Sequence, residues 1–487
     1  MKKMNLLVMS LVSAAALSFT SCSSNDDLAG NAGQEKVDGF YMTLNVQTPK
    51  SDGTRTALKN DFNATPEESD VTSGTIYLVD AKGNVVFKKE ITESEWKAGK
   101  PTQGNDGSTQ IKIEVESVVA GATYNVYFLA NATDKDNKPW ANIFTATNKF
   151  AQPYDTNNNF AMFNQNDGDV KGNGYTVVFT DDNKKETSAA QIKYDNAVSP
   201  IKIERLTARI DEPTSNATKI VAYSKTDATP AEKKAMEDAV KKVESIKMTG
   251  YAISNLSNKS YIMQHWTGTT LNIPSDISYY QPTREFGTAT LLENGDYFTA
   301  ATAPNTHKDY VFENNNDKAA TSMYFEYTVK LKDMTDADFP EDGTFYRYNN
   351  VIYKSFADIY KAYNDVAGLF GGKTAEDMKK ELKAAKTAPT AEGDPTVESK
   401  LDNFRKTYQI EVFNCGKTYY KKAIKDQYLT YENAIQRNSI YRLKVNNIFN
   451  VGAQVPNGTP DKEGLFYLDV TVSVNPWVLN TQNVDFK

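Results

Sequence analysis

Covalent chemistry is most clearly indicated at a thiol near the start of the chain. Lys2 and Lys3 precede an apolar run over residues 6–19, and Cys22 follows closely. A basic start, a short apolar core and small residues before a cleavage point predict an export signal over residues 1–21. A thiol directly after such a point can be lipidated, so we expect a lipid such as palmitate on Cys22. The apolar run is too short to cross a membrane as a helix.

A peptide bond further along is the second candidate for covalent chemistry. Arg55 and Thr56 follow a run of small polar residues over 51–54, and turns of this kind are where proteases cut. Arg55 is the only Arg before the first strand expected in the mature chain. Cleavage here would make residues 22–55 a lipidated, removable propeptide and would start the mature chain at Thr56.

The predicted propeptide contains a strand pattern. Residues 40–47 alternate apolar and polar side chains, which places Phe40, Met42, Leu44 and Val46 on one face. A period of two predicts a strand with one buried side. The strand is either removable with the propeptide or an ordinary first strand of the first domain.

The other candidates for chemistry favour structural roles. His265 and His307 are far apart, and neither has a second metal-type ligand nearby in sequence. Cys415 is predicted to be a small, half-buried residue at a strand end. Residues 164–169 are rich in acids and amides but lack the spacing of an EF-hand, so a solvated loop is favoured over a calcium site.

Carboxylates and tryptophans leave two weaker alternatives. A glycosidase would need paired carboxylates, but a solvated loop is favoured for Asp336, Asp338, Glu341 and Asp342. Sugars could stack on tryptophans, but core or strand-end positions are equally natural for Trp140, Trp266 and Trp477. The sequence contains no nucleophile elbow, zinc-protease, Walker or dinucleotide motif, so we predict no enzyme, no cofactor and no metal site.

Composition limits the remaining classes. The chain has 487 residues, enough for one to three domains, and its net charge of −7 argues against nucleic acid as a partner. The only cysteines are Cys22 and Cys415, so a lipidated Cys22 would leave no intrachain disulfide. Core packing and sheet hydrogen bonds must then hold the fold together.

Short alternating runs between Asn, Asp and Gly turns predict an all-β fold of sandwich type. Strands are expected over residues 75–79, 111–115, 124–129, 175–179, 201–210, 324–331 and 465–474. Helical insertions are expected in the second half, over residues 231–243, 355–370 and 374–386, followed by a loop over 387–397. A polar stretch before residue 199 places the domain boundary there, giving domains 56–199 and 200–487.

The C-terminal tail is unusual because it ends in apolar residues. Pro476 has no backbone donor, so it interrupts the preceding strand and sets off an extended tail. Tails are usually polar and frayed. The apolar residues that favour a groove on another molecule are Trp477, Val478, Leu479, Val484 and Phe486. The alternative is a final strand that stays in its own sandwich.

With these features in place, the chain resembles the fimbrillins, the shaft subunits of type V pili of Bacteroidales-type bacteria, and is most similar to their short-fimbria, Mfa-like branch. The matching pieces occur in order along most of the chain. They are the lipoprotein start at Cys22, the Arg55–Thr56 junction and residues 124–132, 160–164, 204–210, 436–442 and 475–486.

The resemblance implies two transthyretin-like β-sandwich domains and a structural subunit that supports adhesion. It implies a lipoprotein precursor that reaches the outer membrane surface, where an Arg-specific protease removes the first strand. A strand from another copy then fills the empty groove, and copies join head to tail in a fimbria with minor tip and anchor subunits. Two rival functions stay open: a tip or anchor subunit, and a surface glycan-binding lipoprotein.

Overall fold

The computed structural model describes residues 39–49, 67–100, 108–145, 160–224, 228–280, 299–300, 308–426, 429, 434–456 and 468–476. No helix in these ranges is long and apolar enough to span a membrane. Strands dominate, and the predicted all-β fold class is confirmed.

The strands up to residue 224 are β1 Phe40–Gln47, β2 Gly74–Val79, β3 Val85–Ile91, β4 Ser108–Val115, β5 Thr123–Ala130, β6 Ile143–Thr145, β7 Met162–Asn164, β8 Tyr175–Val178, β9 Ala190–Gln191, β10 Lys193–Tyr194, β11 Ala197–Val198, β12 Ile201–Arg205, β13 Thr207–Asp211 and β14 Thr214–Ser215.

The later strands are β15 Val243–Ser254, β16 Leu256–Ser257, β17 Lys259–Tyr261, β18 His265–Thr267, β19 Thr270–Asn272, β20 Tyr279–Tyr280, β21 Thr299–Ala300, β22 Lys308–Phe312, β23 Ser322–Leu331, β24 Phe345–Tyr348, β25 Val351–Tyr353, β26 Glu411–Phe413, β27 Lys417–Ala423, β28 Ser439–Ile448 and β29 Leu468–Pro476. The α-helices are α1 Glu93–Ala98, α2 Pro230–Lys242, α3 Phe356–Ala362, α4 Ala375–Ala385 and α5 Val397–Tyr408.

The first sheet has the strand order β11-β10-β8-β5-β7-β12-β1-β4, with β2 on β5, β3 on β2 and β9 on β1. One apolar core lies on the inner side of these strands and takes residues from β1, β4, β5, β8 and β12. A smaller cluster covers the other face of β2, β5 and β7. Strand β2 is therefore buried along its whole length, which explains why its last four residues, from Ile76 to Val79, are an uninterrupted apolar run.

The second half contains two further sheets with a core between them. One has the order β14-β28-β13-β22, with β29 on the free side of β28, and the other has the order β21-β15-β23-β27. Side chains from both sheets form a single cluster, which is the arrangement of a β-sandwich. The number of independent domains stays a prediction.

The helical insertions differ in part from the sequence prediction. Helix α2 begins where expected, because Thr229 and Glu232 form a capping box and Pro230 follows the cap. The predicted helix over 355–370 ends at Ala362, and the chain continues to a separate 3-10 turn over Leu369–Gly372. Helix α5 was not predicted. Helices α3, α4 and α5 pack on β24 and β26 around a core of their own.

The predicted strand over 201–210 is two strands with different partners. Strand β12 pairs with β1 and β7 in the first sheet. Strand β13 pairs with β22 and β28 in the second half. Leu206, between them, is completely buried. This crossing is the junction between the two sheet systems, and it is surrounded by charged side chains described below.

Candidate functional site

Strand β1 lies inside the first sheet with neighbours on both edges. It pairs antiparallel with β4 along its whole length, from Phe40 opposite Val115 to Gln47 opposite Ser108. On its other edge it pairs parallel with β9 near one end and with β12 near the other. The first eight described strand residues therefore occupy a slot between β4 on one side and β9 and β12 on the other.

The apolar face of β1 packs against the core of the first sheet. Met42, Leu44 and Val46 are 0% exposed. Phe40 is half-buried, and its ring meets Phe179 edge-on at a centroid distance of 5.6 Å. The walls of the slot are buried apolar residues of the neighbouring strands: Ile113, Val115, Ala190, Ile201 and Ile203.

Removing β1 would expose both a hydrophobic slot and unpaired backbone. Burial of each large apolar side chain contributes roughly 1.5–3 kcal/mol. The edges of β4 and β12 would lose their hydrogen-bond partners at the same time, and such edges accept another strand. An extended segment with apolar side chains at inward-facing positions is therefore the kind of replacement that this slot favours.

The C-terminal strand β29 occupies a very different position. It pairs antiparallel with β28, from Leu468 opposite Ile448 to Pro476 opposite Ser439, and it has no second strand neighbour among the described residues. Leu468, Val470 and Val472 are half-buried against the second core. The strand is described as far as Pro476, which still lies opposite Ser439, so the predicted interruption after it stays a prediction.

The remaining residues of the predicted processing and assembly sites lie outside the described residues. They are Cys22, Arg55, Thr56, Trp477, Val478, Leu479, Val484 and Phe486. Their predicted roles are taken up below as proposals. The first described segment after the predicted cleavage point contains the 3-10 turn over Glu67–Ser69.

Glu68 of that turn is buried in a cluster of charges at the junction. Its carboxylate accepts hydrogen bonds from Arg209 at 2.9 Å and from Lys308 at 3.1 Å. Tyr310 donates another at 2.8 Å, and Nε of Arg205 donates to the main-chain oxygen of Glu68 at 2.6 Å. The segment that follows the predicted cleavage point is thus tied to β12, β13 and β22 together.

A second buried cluster lies on the other side of the same crossing. Arg437 forms an ion pair with Glu313 at 2.9 Å and approaches Glu204 to 4.0 Å. Burial raises the pKa of Glu204 to about 8, with Arg437 opposing the shift and Asp167 and Glu313 adding to it. Glu204, Arg437 and Glu313 are each at most 3% exposed.

Sequence reasoning did not identify these clusters as sites. The signal available was the presence of several charged residues within an otherwise strand-like run over 204–210 and again over 436–442. Charged residues are rarely buried unless they are paired. Arg209 has one near partner, Asp211, but other partners come from segments more than 100 residues away in sequence, as for Arg209 with Glu68.

The other predicted chemistry candidates have structural contacts. Asn164 is fully buried and accepts a hydrogen bond from the backbone of Phe128. Asp338 accepts one from the first residue of α3 at 2.7 Å. Among the described residues, no three His, Cys, Asp or Glu side chains are grouped as a metal site. The predicted half-burial of Cys415 is wrong, because the residue is exposed in a left-handed turn after β26.

The aromatic and histidine candidates also pack structurally. The Trp140 ring stacks on Tyr127 at 4.8 Å. Nε1 of Trp266 donates to the main-chain oxygen of Asn166 at 2.6 Å. His265 stacks on Tyr261 at 4.3 Å. These intramolecular contacts explain the positions of the three rings, and no bound sugar is needed to explain them. His307 and Trp477 lie outside the described residues.

Comparison with solved structures finds similar chains at low identity. A candidate cell adhesion protein of Parabacteroides distasonis has 14% identity and a TM-score of 0.46, with 91% of this chain and 98% of that chain covered. A second one from the same organism has 12% identity and a TM-score of 0.43, with 90% and 100% covered. A fimbrial assembly protein of that organism has 12% identity and a TM-score of 0.31, with 65% and 89% covered. At these TM-scores the similarity supports no conclusion on function.

Comparison with protein families is more informative, although no curated protein matches the chain. Residues 41–205 match the model of the major fimbrial subunit protein (FimA). Residues 411–483 match the model of the C-terminal part of fimbrillin, major fimbrial subunit protein type IV. The first match includes β1 and its neighbours, and the second includes β28 and β29. Over these two segments the chain matches the fimbrillins, the structural, non-enzymatic major subunits of cell-surface fimbriae.

Proposed function

We propose that this protein is a shaft subunit of a fimbria, made as a lipoprotein precursor and polymerised by strand exchange. A protease cuts after Arg55, β1 leaves with the propeptide, and an extended segment of the next copy takes its place. The proposed donor is the tail over residues 477–486. Repetition of this step joins copies head to tail, and a heterologous contact of this kind yields a filament.

The observation that supports this proposal is the position of β1. The strand fills a slot between other strands, yet its covalent connection to the rest of the sandwich runs through the chain after Gln47. One cut in that connection would leave β1 held by non-covalent contacts alone. The buried Glu68 lies beyond the predicted cut, so the mature chain would keep its own anchor at the junction.

The lipid on Cys22 has a role before the cut. We propose that it holds the precursor at the outer membrane, where the Arg-specific protease acts, and that cleavage releases the subunit from the lipid. Tip and anchor subunits would then begin and end the fibre. The short-fimbria branch of the family stays a prediction. Cys22→Ala should block surface delivery, and normal fibres from that variant would contradict this step.

Cleavage is tested with Arg55→Ala. Because β1 stays covalently attached in this variant, we expect monomers or short oligomers where the wild type forms fibres. N-terminal sequencing of wild-type fibres should give Thr56. Fibre subunits that still contain residues 40–47 would contradict the proposal.

The donor role of the tail is tested by deleting residues 484–487. The truncated subunit should fold, be exported and be cut, because the described strands of both halves are retained, yet it should fail to polymerise. The alternative of a final strand in its own sandwich predicts a lower melting temperature of the monomer instead. A stable truncated monomer that forms long fibres would exclude the tail as donor.

A further inference from the structure

The slot occupied by β1 has two different ends. At the Gln47 end, β12 continues beyond its pairing with β1, from Lys202 to Arg205, and leads directly into the junction. Glu68 is fixed at that junction, so residues 56–66 would remain attached there after cleavage. A donor strand entering from this end would have to pass its acceptor's own second half.

The Phe40 end carries a different set of elements. Strand β4 ends there opposite Phe40, and a loop over 116–122 leads from it into β5. The loop is tied to the end of β8, because the backbone N–H of Gly121 donates to the oxygen of Phe179 at 2.8 Å. The Phe179 ring in turn meets the ring of Phe40. The loop and the end of β8 therefore surround the entrance of the slot.

This entrance exposes apolar side chains. Val119 of the loop is 67% exposed, and Val178 at the end of β8 is 42% exposed. Most large apolar side chains in the described part of the first half are buried in its cores. Two exposed valines beside the mouth of a slot that another copy is proposed to fill indicate a contact surface with that copy.

We infer that the donor strand enters at the Phe40 end, runs antiparallel to β4 as β1 does, and brings the body of the next subunit against Val119 and Val178. This inference rests on the proposed strand exchange and adds its polarity and its second contact surface. The occupant of the surface is a second copy of this chain.

The length of the tail supports close contact between the two bodies. If Phe486 takes the position of Val46, Val484 takes that of Leu44 and residues 480–487 fill the eight positions of β1. Asn480 and Gln482 then take the positions of Phe40 and Met42, nearer the entrance. Only residues 477–479 then connect Pro476 to the slot, a span of at most roughly 14 Å from Pro476 to residue 480. The donor's β28–β29 end must therefore lie beside the entrance, where the two valines are.

Cross-linking distinguishes the two polarities. In the inferred register, Thr481 takes the place of Tyr41, which faces Glu114, and Asp485 takes the place of Asn45, which faces Gln110. The two acceptor positions are four residues apart, about 13 Å along the strand. A short bismaleimide cross-linker tolerates a small register shift, but from one donor cysteine it reaches only one of the two acceptor positions.

The experiment uses cleaved subunits with Cys415→Ser, so that each added cysteine is the only one in the mature chain. Donor subunits carry Thr481→Cys or Asp485→Cys, and acceptor subunits carry Glu114→Cys or Gln110→Cys. Each donor is mixed with each acceptor in an excess of otherwise wild-type subunits, so that fibres form in every mixture. Dimers are then counted on denaturing gels.

The inferred polarity predicts dimers for Thr481→Cys with Glu114→Cys and for Asp485→Cys with Gln110→Cys. Dimers in the two opposite combinations would overturn the polarity while leaving tail donation intact. Fibres without dimers in any combination would instead show that the tail does not occupy the slot, and the proposed strand exchange itself would fail.

The contact surface is tested separately with Val119→Asp and Val178→Asp. Each should slow fibre elongation on the order of tenfold, because the apolar contact between copies is lost. The melting temperature of the cleaved monomer should not change, since both side chains are exposed. Val366→Asp, at a 46% exposed valine between α3 and α4, is the matched control. Elongation of the two variants at the control rate would overturn the contact surface.

Discussion

Truncating one residue of β1 should affect the precursor and the fibre in opposite ways. Leu44 is 0% exposed and pairs with Ile111 across the ladder to β4. A Leu→Ala change at such a position costs about 2–5 kcal/mol of stability. Leu44→Ala should therefore lower the free energy of unfolding of the precursor by that amount. The fibre should be unaffected, because residue 44 is absent from a subunit that begins at Thr56.

The same change should accelerate assembly. After the proposed cut at Arg55, β1 would be held by its side-chain and backbone contacts alone. A loss of about 2–5 kcal/mol shifts its release by a factor of roughly thirty to several thousand, since about 1.4 kcal/mol corresponds to a tenfold change. Light scattering after limited proteolysis with trypsin should show a shorter lag, and the fibres should melt at the wild-type temperature.

Thr43→Ala is the control for this experiment. Thr43 lies on the opposite face of β1, where its hydroxyl accepts a hydrogen bond from Gln191 at 3.0 Å on an exposed surface. Its truncation should leave precursor stability within about 0.5 kcal/mol. The reasoning is refuted if the Leu44→Ala precursor melts like the Thr43→Ala precursor, or if Leu44→Ala changes the melting temperature of purified fibres.

Two further predictions concern the junction. Burial raises the pKa of Glu204 from 4.5 to about 8, so the native state keeps a proton that the unfolded chain loses, and stability falls as the pH rises through this window. In Glu204→Gln this pH dependence, up to about 1.4 kcal/mol per pH unit, should be absent. Free energies of unfolding measured by denaturant titration at about pH 5 to 8 would contradict the prediction if they fell equally with pH in the variant and the wild type. Glu68→Gln should cost roughly 1–3 kcal/mol, because buried Arg209 keeps Asp211 but loses its second charged partner. Glu93→Gln, in the exposed pair with Lys97, is the control, and equal melting temperatures for the two variants would argue against the cluster.

Local sequence signals predicted the elements whose physics is local. Helix α2 was found because its cap, Thr229, and its first-position proline, Pro230, are adjacent in the chain. Strand β1 was found because a period of two requires only that one face be buried. Helix α5 was missed because only Leu401 and Phe404 along it are large, buried apolar residues, which makes a narrow stripe after a proline-rich segment.

The partners of each element could not be predicted in the same way. An alternating pattern shows that β1 buries one face, but not that β4, β9 and β12 use both of its edges. Similarly, the sequence gives Arg205 and Arg209 the pattern of ordinary strand charges. Only the structure shows that both donate hydrogen bonds to Glu68, more than 130 residues earlier. Pairing across such distances depends on topology, which no short window of sequence contains.

The two kinds of contact in this subunit suit two different tasks. The slot around β1 is lined by apolar side chains, and apolar burial has no directional requirement, so any extended segment with the right alternation can replace β1. The junction instead uses buried ion pairs, which contribute little net stability but are costly when one partner is removed, and so favour a single geometry. Under the proposed strand exchange a fibre would need both properties, since each subunit would exchange a strand while the junction between its halves stays intact. We therefore expect Leu44→Ala to alter assembly rates and Glu68→Gln to alter the shape of the subunit, a difference that small-angle scattering of the cleaved monomers would measure.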